Sequence, residues 1–444
     1  MGFTPVTEAD RRAMLEALGL DSVEELFADI PQEVRFQGSL DLPAPLAERD
    51  VWRDLQELAN KNGHLGQYVC FRGAGAYEHL IPRVIGHIIS RGEFLTAYTP
   101  YQAEISQGVL QAIYEYQTMI CLLTEMDVAN ASMYDGPTAL AEAAIMACGI
   151  TRRGKILAPT TIHPLYRQIT AVYLESRGLE LVEIPAEDGL DPEVLRAHLD
   201  GDTAGVLIQH PNFFGRLEKV RELAEPIHEA GALYVACVDP ISLGLLEAPG
   251  SYGADIVVGE GQALGNPLSF GGPYLGFFAT RDKYVRRMPG RIVGATVDNR
   301  GQPGFVLTLQ AREQHIRRER ATSNICSNQA LNALVATIYL SLLGPEGLGE
   351  VARQSLQKAH YAQEQICSLP GFEAGKPGPF FKEFVVRTTM DIQAIEGRLL
   401  EAGIIGGLPL GRFYPQLDDC LLFCVTEART KAEIDRLVEV LGEV

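Results

Sequence analysis

Asp239 closes an apolar stretch, Leu233 to Val238, that reads as a strand, and a second such stretch, Asp255 to Val258, leads into a glycine-rich loop. Open α/β sheets form their sites at the carboxyl ends of strands. Enzymes that hold pyridoxal phosphate on such sheets place a carboxylate at one strand end, against the pyridinium nitrogen, and a Schiff-base lysine after a later strand. Asp239 fits the first role, and it can equally cap the turn before Pro240. No lysine lies in Val258 to Gly272, where the second role would fall, and Lys283 reads as a solvated side chain. This chain alone is therefore not expected to form a Schiff base.

A second group of residues bears on the same chemistry. Asp135, Gly136 and Pro137 precede an Ala-rich helix, with Asp135 as candidate N-cap and Pro137 as first-turn proline. A bare helix N-terminus attracts phosphate. A dianionic phosphate about 5 Å from a carboxylate, at an effective dielectric near 20, would be repelled by several kcal/mol, against about 1 kcal/mol from the helix dipole. Asp135 thus argues against an anion there, and plain capping is its simplest role. Tyr98 to Gly108 is dense in hydrogen-bonding side chains beside proline and aromatics. It can line a recognition surface or form an ordered turn. Arg312, His315, Arg317, Arg318 and Arg320 make a basic run that can grip an anionic group or pair with Glu313 and Glu319 on a solvated helix face.

Other signals are absent from the sequence. Gly73-Ala74-Gly75 lacks the third glycine of a dinucleotide fingerprint, and the nine histidines show no metal spacing. His163 and His210 fall near predicted strand ends and are the histidines expected to face a cleft. Cys420 and Cys424 share one face of a strand and read as core.

The elements that must position these residues follow from periodicity. From about residue 137, short apolar strands alternate with helices: helix Pro137 to Gly149, strand Lys155 to Ala158, helix Pro164 to Arg177, strand Glu180 to Ile184, helix Pro192 to Leu199, strand Gly205 to Gln209, helix Leu217 to Ala230, strand Leu233 to Val238. Four α/β units in a row imply a doubly wound, mainly parallel sheet. The strands Asp255 to Val258 and Tyr274 to Thr280 are joined by a loop too short for a helical crossover and should be antiparallel. Helices Asn328 to Leu343 and Leu348 to Leu369 are split by Gly344 and Pro345. The remainder reads strand Lys382 to Arg387, helix Asp391 to Ala402, strand Cys420 to Val425 and helix Lys431 to Leu441. The expected organisation is a helical, proline-broken arm over 1–65, a large α/β domain over 66–326 and a smaller C-terminal α/β domain over 327–444.

Composition bounds the class. The 444 residues are 46% hydrophobic and 21% charged, ordinary for a globular protein, and the net charge is −19. That charge disfavours nucleic acid and membrane surfaces as partners. Eight scattered cysteines without CxxC read as buried thiols and point to a reducing, cytoplasmic setting. No signal peptide is visible, and the apolar run Ala330 to Leu343 is expected to be a buried helix.

Taken together, Tyr98 to Gly108, Asp127 to Ser132, Gly253 to Gly276 and Arg312 to Cys326 resemble the glycine decarboxylase P-protein family, and more narrowly its first, N-terminal-half (alpha) subunit where that protein is split in two. The resemblance covers nearly the whole chain. It implies a fold-type I pyridoxal-phosphate enzyme architecture in which the second subunit carries the lysine and the cofactor, while this one completes the active site at their interface. By resemblance, Tyr98, Thr99, Tyr101, Gln102, Glu104, Asn130, Tyr134 and Asp135 sit at or near the shared cleft, Asp239 is a vestigial pyridinium partner, and no metal is involved. Arg320 departs from the family, which often has lysine there, and Ser327 stands for a common threonine. The implied reaction is oxidative decarboxylation of glycine with transfer of the aminomethyl group to the lipoyl arm of the H-protein. Two other readings stay open on the residues alone: a self-sufficient pyridoxal-phosphate lyase or transferase homodimer, and a non-catalytic scaffold.

Overall fold

The computed structural model describes residues 5–36, 38–325 and 327–444 and divides into two compact units, 1–63 and 64–444. In the first, helices Glu8–Leu18 and Glu48–Ala59 flank short 3-10 turns, and neither helix buries a residue. Thr7 caps the first helix by accepting from the Asp10 amide while Asp10 accepts from the Thr7 amide.

The second unit is built on a seven-stranded sheet, in spatial order Val128–Ala129, Gly276–Thr280, Ile256–Glu260, Leu233–Val238, Thr203–His210, Lys155–Pro159 and Glu180–Ile184. The four strands from Lys155 to Val238 and the strand Ile256–Glu260 run parallel. Gly276–Thr280 pairs antiparallel with Ile256–Glu260, as the short connection requires. Central strands are buried at nearly every position, because helices cover both faces. On one face lies the Ala-rich helix Gly136–Thr151, whose small side chains allow close approach to the sheet. A Cβ at Gly205 would meet the Ala147 methyl at 3.1 Å. The other face carries a cluster that includes Tyr234, Phe277 and Tyr339.

Beyond the large sheet, two helices within Ala330–Cys367 meet at a kink at Gly344, where φ is 59° and ψ −174°, which agrees with the split read from Gly344 and Pro345. Among the described residues only this stretch, counted across the kink, is long and apolar enough, by length and composition, to cross a membrane. One of its faces joins the core through Ala333, Val335, Ala336 and Tyr339. The stretch Ala330 to Leu343, expected to be a buried helix, is buried in part, with Leu331 and Leu342 exposed. The C-terminal part is a four-stranded antiparallel sheet, Phe372–Ala374, Glu383–Thr388, Cys420–Cys424 and Leu408–Pro409. Helices Ile392–Glu401 and Lys431–Gly442 pack on it around Phe384, Phe423 and Leu437. The boundary expected at residue 326, and the last residue of the Arg312 to Cys326 motif, lie outside the described residues.

One short pairing decides the geometry of the site. Val69–Cys70 pairs parallel with Ile404–Ile405, so the chain that follows, Arg72 to Leu80, is laid between the large sheet and the C-terminal sheet.

Candidate active-site cavity and its rim

The carboxyl ends of the strands converge on one cavity, lined among others by His163, Gln209, Asp239 and Glu260 from the large sheet, by Gly75 and Tyr77, and by Lys382 and Glu383. Asp239 leaves strand Leu233–Val238 and makes two kinds of contact. Its Oδ1 accepts from the Ile241 amide at 3.0 Å, which closes the turn, and its Oδ2 lies 2.7 Å from Lys382 Nζ. The Lys382 side chain is only 2% exposed. Its ammonium sits 3.6 Å above the Tyr77 ring centroid and 3.2 Å from His79 Nε2. His79 Nδ1 is in turn 2.6 Å from Glu427 Oε2.

Because Lys382 can only donate, His79 Nε2 accepts and its Nδ1–H donates to Glu427. Burial, joined by the Lys382 charge, pushes the His79 pKa down, which favours the neutral ring that this arrangement needs. A continuous buried chain, Asp239–Lys382–His79–Glu427, results.

The N-terminus of helix Gly136–Thr151 is filled in a similar way. Asp135 is the N-cap, its Oδ1 accepting from the Thr138 amide at 2.9 Å, with Pro137 in the first turn. Glu260, buried at the end of its strand, accepts from the Gly136 amide at 2.9 Å through Oε2, and from the Gln262 and Leu275 amides at 2.9 and 3.0 Å through Oε1. Burial raises its pKa to about 8, against the three amide donors that lower it. Glu383 accepts from the Ala74 amide at 2.6 Å and from the Tyr77 hydroxyl at 2.8 Å, and burial raises its pKa to about 7.

These residues do not fit pyridoxal phosphate, the cofactor the fold would hold here. The position opposite Asp239 already holds a cation, the amide cradle at the helix N-terminus already holds a carboxyl group, and the loop Gly73 to Tyr77 lies over His163, whose Nε2 is 2.9 Å from the Ala74 carbonyl. What remains is about 40 Å³, room for a few waters, against the several hundred Å³ of a typical ligand pocket.

The rim segment, Tyr98 to Glu104, lies outside the lining of that cavity and is different in character. Tyr98 is 85% exposed, Tyr101, Gln102 and Glu104 are exposed, and Thr99 is half-buried. Gln107 anchors this segment: its side chain donates to the Ala103 and Phe305 carbonyls and accepts from the Phe305 amide. Phe305 belongs to the hairpin Ile292–Val297 and Pro303–Thr308, which the sequence reading did not find. Arg291 donates to the Tyr101 hydroxyl at 3.1 Å and to Asn328 Oδ1 at 3.3 Å, and the Tyr101 ring meets His315 edge-on.

The structure therefore separates the residues singled out from sequence. Tyr98, Thr99, Tyr101, Gln102 and Glu104 lie on the exposed rim segment and outside the cavity lining. Asn130 is fully buried and donates to the Pro289 carbonyl at 3.0 Å, while Tyr134 and Asp135 are half-buried at the helix N-terminus. His163 lines the cavity, whereas His210 is buried outside its lining, where Nδ1 accepts from the Glu218 amide. The basic run divides: Arg312 is held by the Met288 and Gly290 carbonyls, and Arg320 is exposed beside Glu319. Lys382, Glu383, Glu260, His79 and Glu427 were missed. Lys382-Glu383 set in an otherwise apolar stretch, Phe380 to Val386, and a glutamate two residues past the expected strand end at Val258 were the available signals.

Against known proteins, the family described as "Glycine cleavage system P-protein" matches residues 1–441. The "Probable glycine dehydrogenase (decarboxylating) subunit 1" of Moorella thermoacetica is 58% identical over 439 residues, covering 99% of this chain and 98% of the relative. A crystal structure of glycine decarboxylase (P-protein) of the glycine cleavage system, in inhibitor-bound form, superposes with a TM-score of 0.92 at 46% identity, covering 100% of both chains. At 17% identity, a C-DES variant with glycine covalently linked to the PLP cofactor gives a TM-score of 0.64 over 85% of this chain and 97% of its own. That likeness shows the fold alone, which is the fold-type I pyridoxal-phosphate enzyme architecture. The chain belongs to the glycine cleavage system P-protein family.

Proposed function

We propose that, as a member of the P-protein family, this chain is the cofactor-free first subunit of a two-subunit glycine dehydrogenase (decarboxylating). It acts only with a second subunit that carries pyridoxal phosphate, as a heterodimer or a pair of heterodimers in the cytoplasm. Glycine is the substrate: carbon dioxide leaves and the aminomethyl group passes to the lipoyl arm of the H-protein. The reading is supported by full-length likeness to relatives named as subunit 1, and the observation that carries it is the occupied cavity, in which Asp239, the vestigial pyridinium partner, is already paired to Lys382.

This chain's share is to complete the partner's cleft with its rim. Tyr98, Thr99, Tyr101, Gln102 and Glu104, with Asn130, Tyr134 and Asp135 behind them, shape that wall, exclude water and orient substrate. The arm (1–65), the large domain (66–326) and the C-terminal domain (327–444) are its functional parts.

The test uses the two subunits purified separately. Glycine-dependent carbon dioxide release with lipoylated H-protein should need both, and borohydride reduction in the presence of pyridoxal phosphate should label only the second subunit. Label on this chain, or turnover by it alone, would overturn the reading.

A further inference from the structure

Two features of the cavity have the same logic. A fold-type I cofactor presents a cationic ring nitrogen to a strand-end carboxylate and an anionic phosphate to a helix N-terminus. Here the strand-end carboxylate, Asp239, faces the Lys382 ammonium at 2.7 Å, and the helix N-terminus gives its Gly136 amide to the Glu260 carboxyl at 2.9 Å. We propose that Lys382 and Glu260 are built-in surrogates that fill the two positions where the charged ends of the absent cofactor would sit, so that the chain closes its own site and, through Lys382, ties the C-terminal sheet to the large sheet. The proposal rests on the reading that the second subunit alone carries pyridoxal phosphate.

Three observations support it beyond the two contacts. Lys382 comes from the C-terminal sheet and Asp239 from the large sheet, so the ion pair bridges the two. The Lys382 ammonium lies over the Tyr77 ring, where a cation is held by the ring's negative face, and is further bound by His79. Tyr77 itself is fixed by Gln262, whose side chain accepts from the Tyr77 amide at 2.8 Å and donates to its carbonyl at 2.9 Å, and by Glu383. The charged groups that line the cavity are thus already engaged with other parts of the chain.

Breaking one partner of a buried ion pair leaves an uncompensated charge, whereas removing both does not. The Lys382→Ala variant should unfold at a lower temperature than the wild type, and ethylammonium or propylammonium at millimolar concentration should raise its midpoint saturably by filling the vacated position against Asp239. The same amines should leave the wild type and the Lys382→Ala/Asp239→Asn double variant unchanged. No rescue, or equal rescue of all three proteins, would overturn the proposal. Should Lys382→Ala not fold, Asp239→Asn and Asp239→Asn/Lys382→Met decide: the double variant should be the more stable of the two, and the reverse order would overturn it. Titration of the wild-type chain with pyridoxal phosphate should give no saturable absorbance change, and a saturable one lost on Asp239→Asn would show an open site. All of these readouts are taken on this chain without its partner. Failed amine rescue with label still confined to the second subunit removes the surrogates and leaves the proposed function standing. Surviving rescue with activity in the single chain does the opposite.

Discussion

The cavity at the sheet's carboxyl edge and the rim segment Tyr98 to Glu104 are both dense in hydrogen-bonding side chains, and they differ in where those bonds go. In the cavity and directly behind it, Asp239, Lys382, His79, Glu427, Glu260 and Glu383 spend their capacity on one another or on backbone amides. On the rim, among the described residues, the side chains of Tyr98, Gln102 and Glu104 make no hydrogen bond, and only Tyr101 is tied down, by Arg291. A buried polar group without a partner loses free energy, and an exposed one is satisfied by water until something displaces it. The cavity is therefore complete within this chain, and the rim is the region still able to bind. Substitutions that sort stability from activity test that contrast directly.

The largest effect is expected at Gly215. Its φ of +78° is one that L side chains rarely adopt, and an added Cβ would fall on the Glu383 backbone. Its carbonyl also accepts from the Phe381 amide at 3.1 Å, next to Lys382. Overpacking and left-handed strain together should make Gly215→Ala about 3 kcal/mol less stable or worse, read by denaturant unfolding of the full chain. Gly108, next to the rim, has nothing within 4 Å of its added Cβ and lies in the helix Gln107–Thr124. Gly108→Ala should be neutral or stabilising by up to about 1 kcal/mol. Equal losses at the two glycines would remove the distinction between a filled interior and an open edge.

How far this contrast could be read in advance depends on the range of the signals. The alternation from residue 137 to 238, the antiparallel pair after it and the capping by Asp135 and Pro137 are local patterns, and the structure reproduces them within a few residues at each end. The rim residues stood out through their composition. The pairing of Asp239 with Lys382 joins positions 143 apart, and no local period links a strand end in one sheet to a strand start in another. The hairpin Ile292–Val297 and Pro303–Thr308 was missed for a different reason. It carries glycines and a strand-initial proline and is mostly half-buried or exposed, so it lacks the apolar run that marked the other strands.

A smaller effect, tied to pH, probes the cavity from its other end. The unfolded Glu260 carboxyl ionises near its ordinary value of 4.5, and burial raises the folded one to about 8. Between those values the folded chain holds a proton that the unfolded chain has released. The Glu260 contribution to stability therefore falls as pH rises from 4.5 to 8, by at most about 1.4 kcal/mol per unit, and is level above 8. Glu260→Gln carries a fixed penalty, since its amide group faces the Gly136 N–H, but no such slope. The stability difference, wild type minus variant, should therefore decline with rising pH across that window. A flat difference would mean that the three amide donors outweigh burial.

On the rim itself, Tyr101→Phe removes the hydroxyl that Arg291 donates to and should lower stability by about 1 kcal/mol, since Arg291 keeps its second acceptor on Asn328. The smallest stability effects belong to Tyr98→Ala, Gln102→Ala and Glu104→Ala, each within about 0.5 kcal/mol of wild type, because these exposed side chains hold nothing in this chain. The same three substitutions should lower glycine-dependent turnover of the assembled complex, with unfolding of the isolated chain unmoved. That combination is the signature of residues whose partners lie on another molecule. If instead turnover survived all three, the rim would be a surface like any other, and the wall of the shared cleft would have to be sought nearer Tyr134 and Asp135, where the filled helix N-terminus meets the cavity.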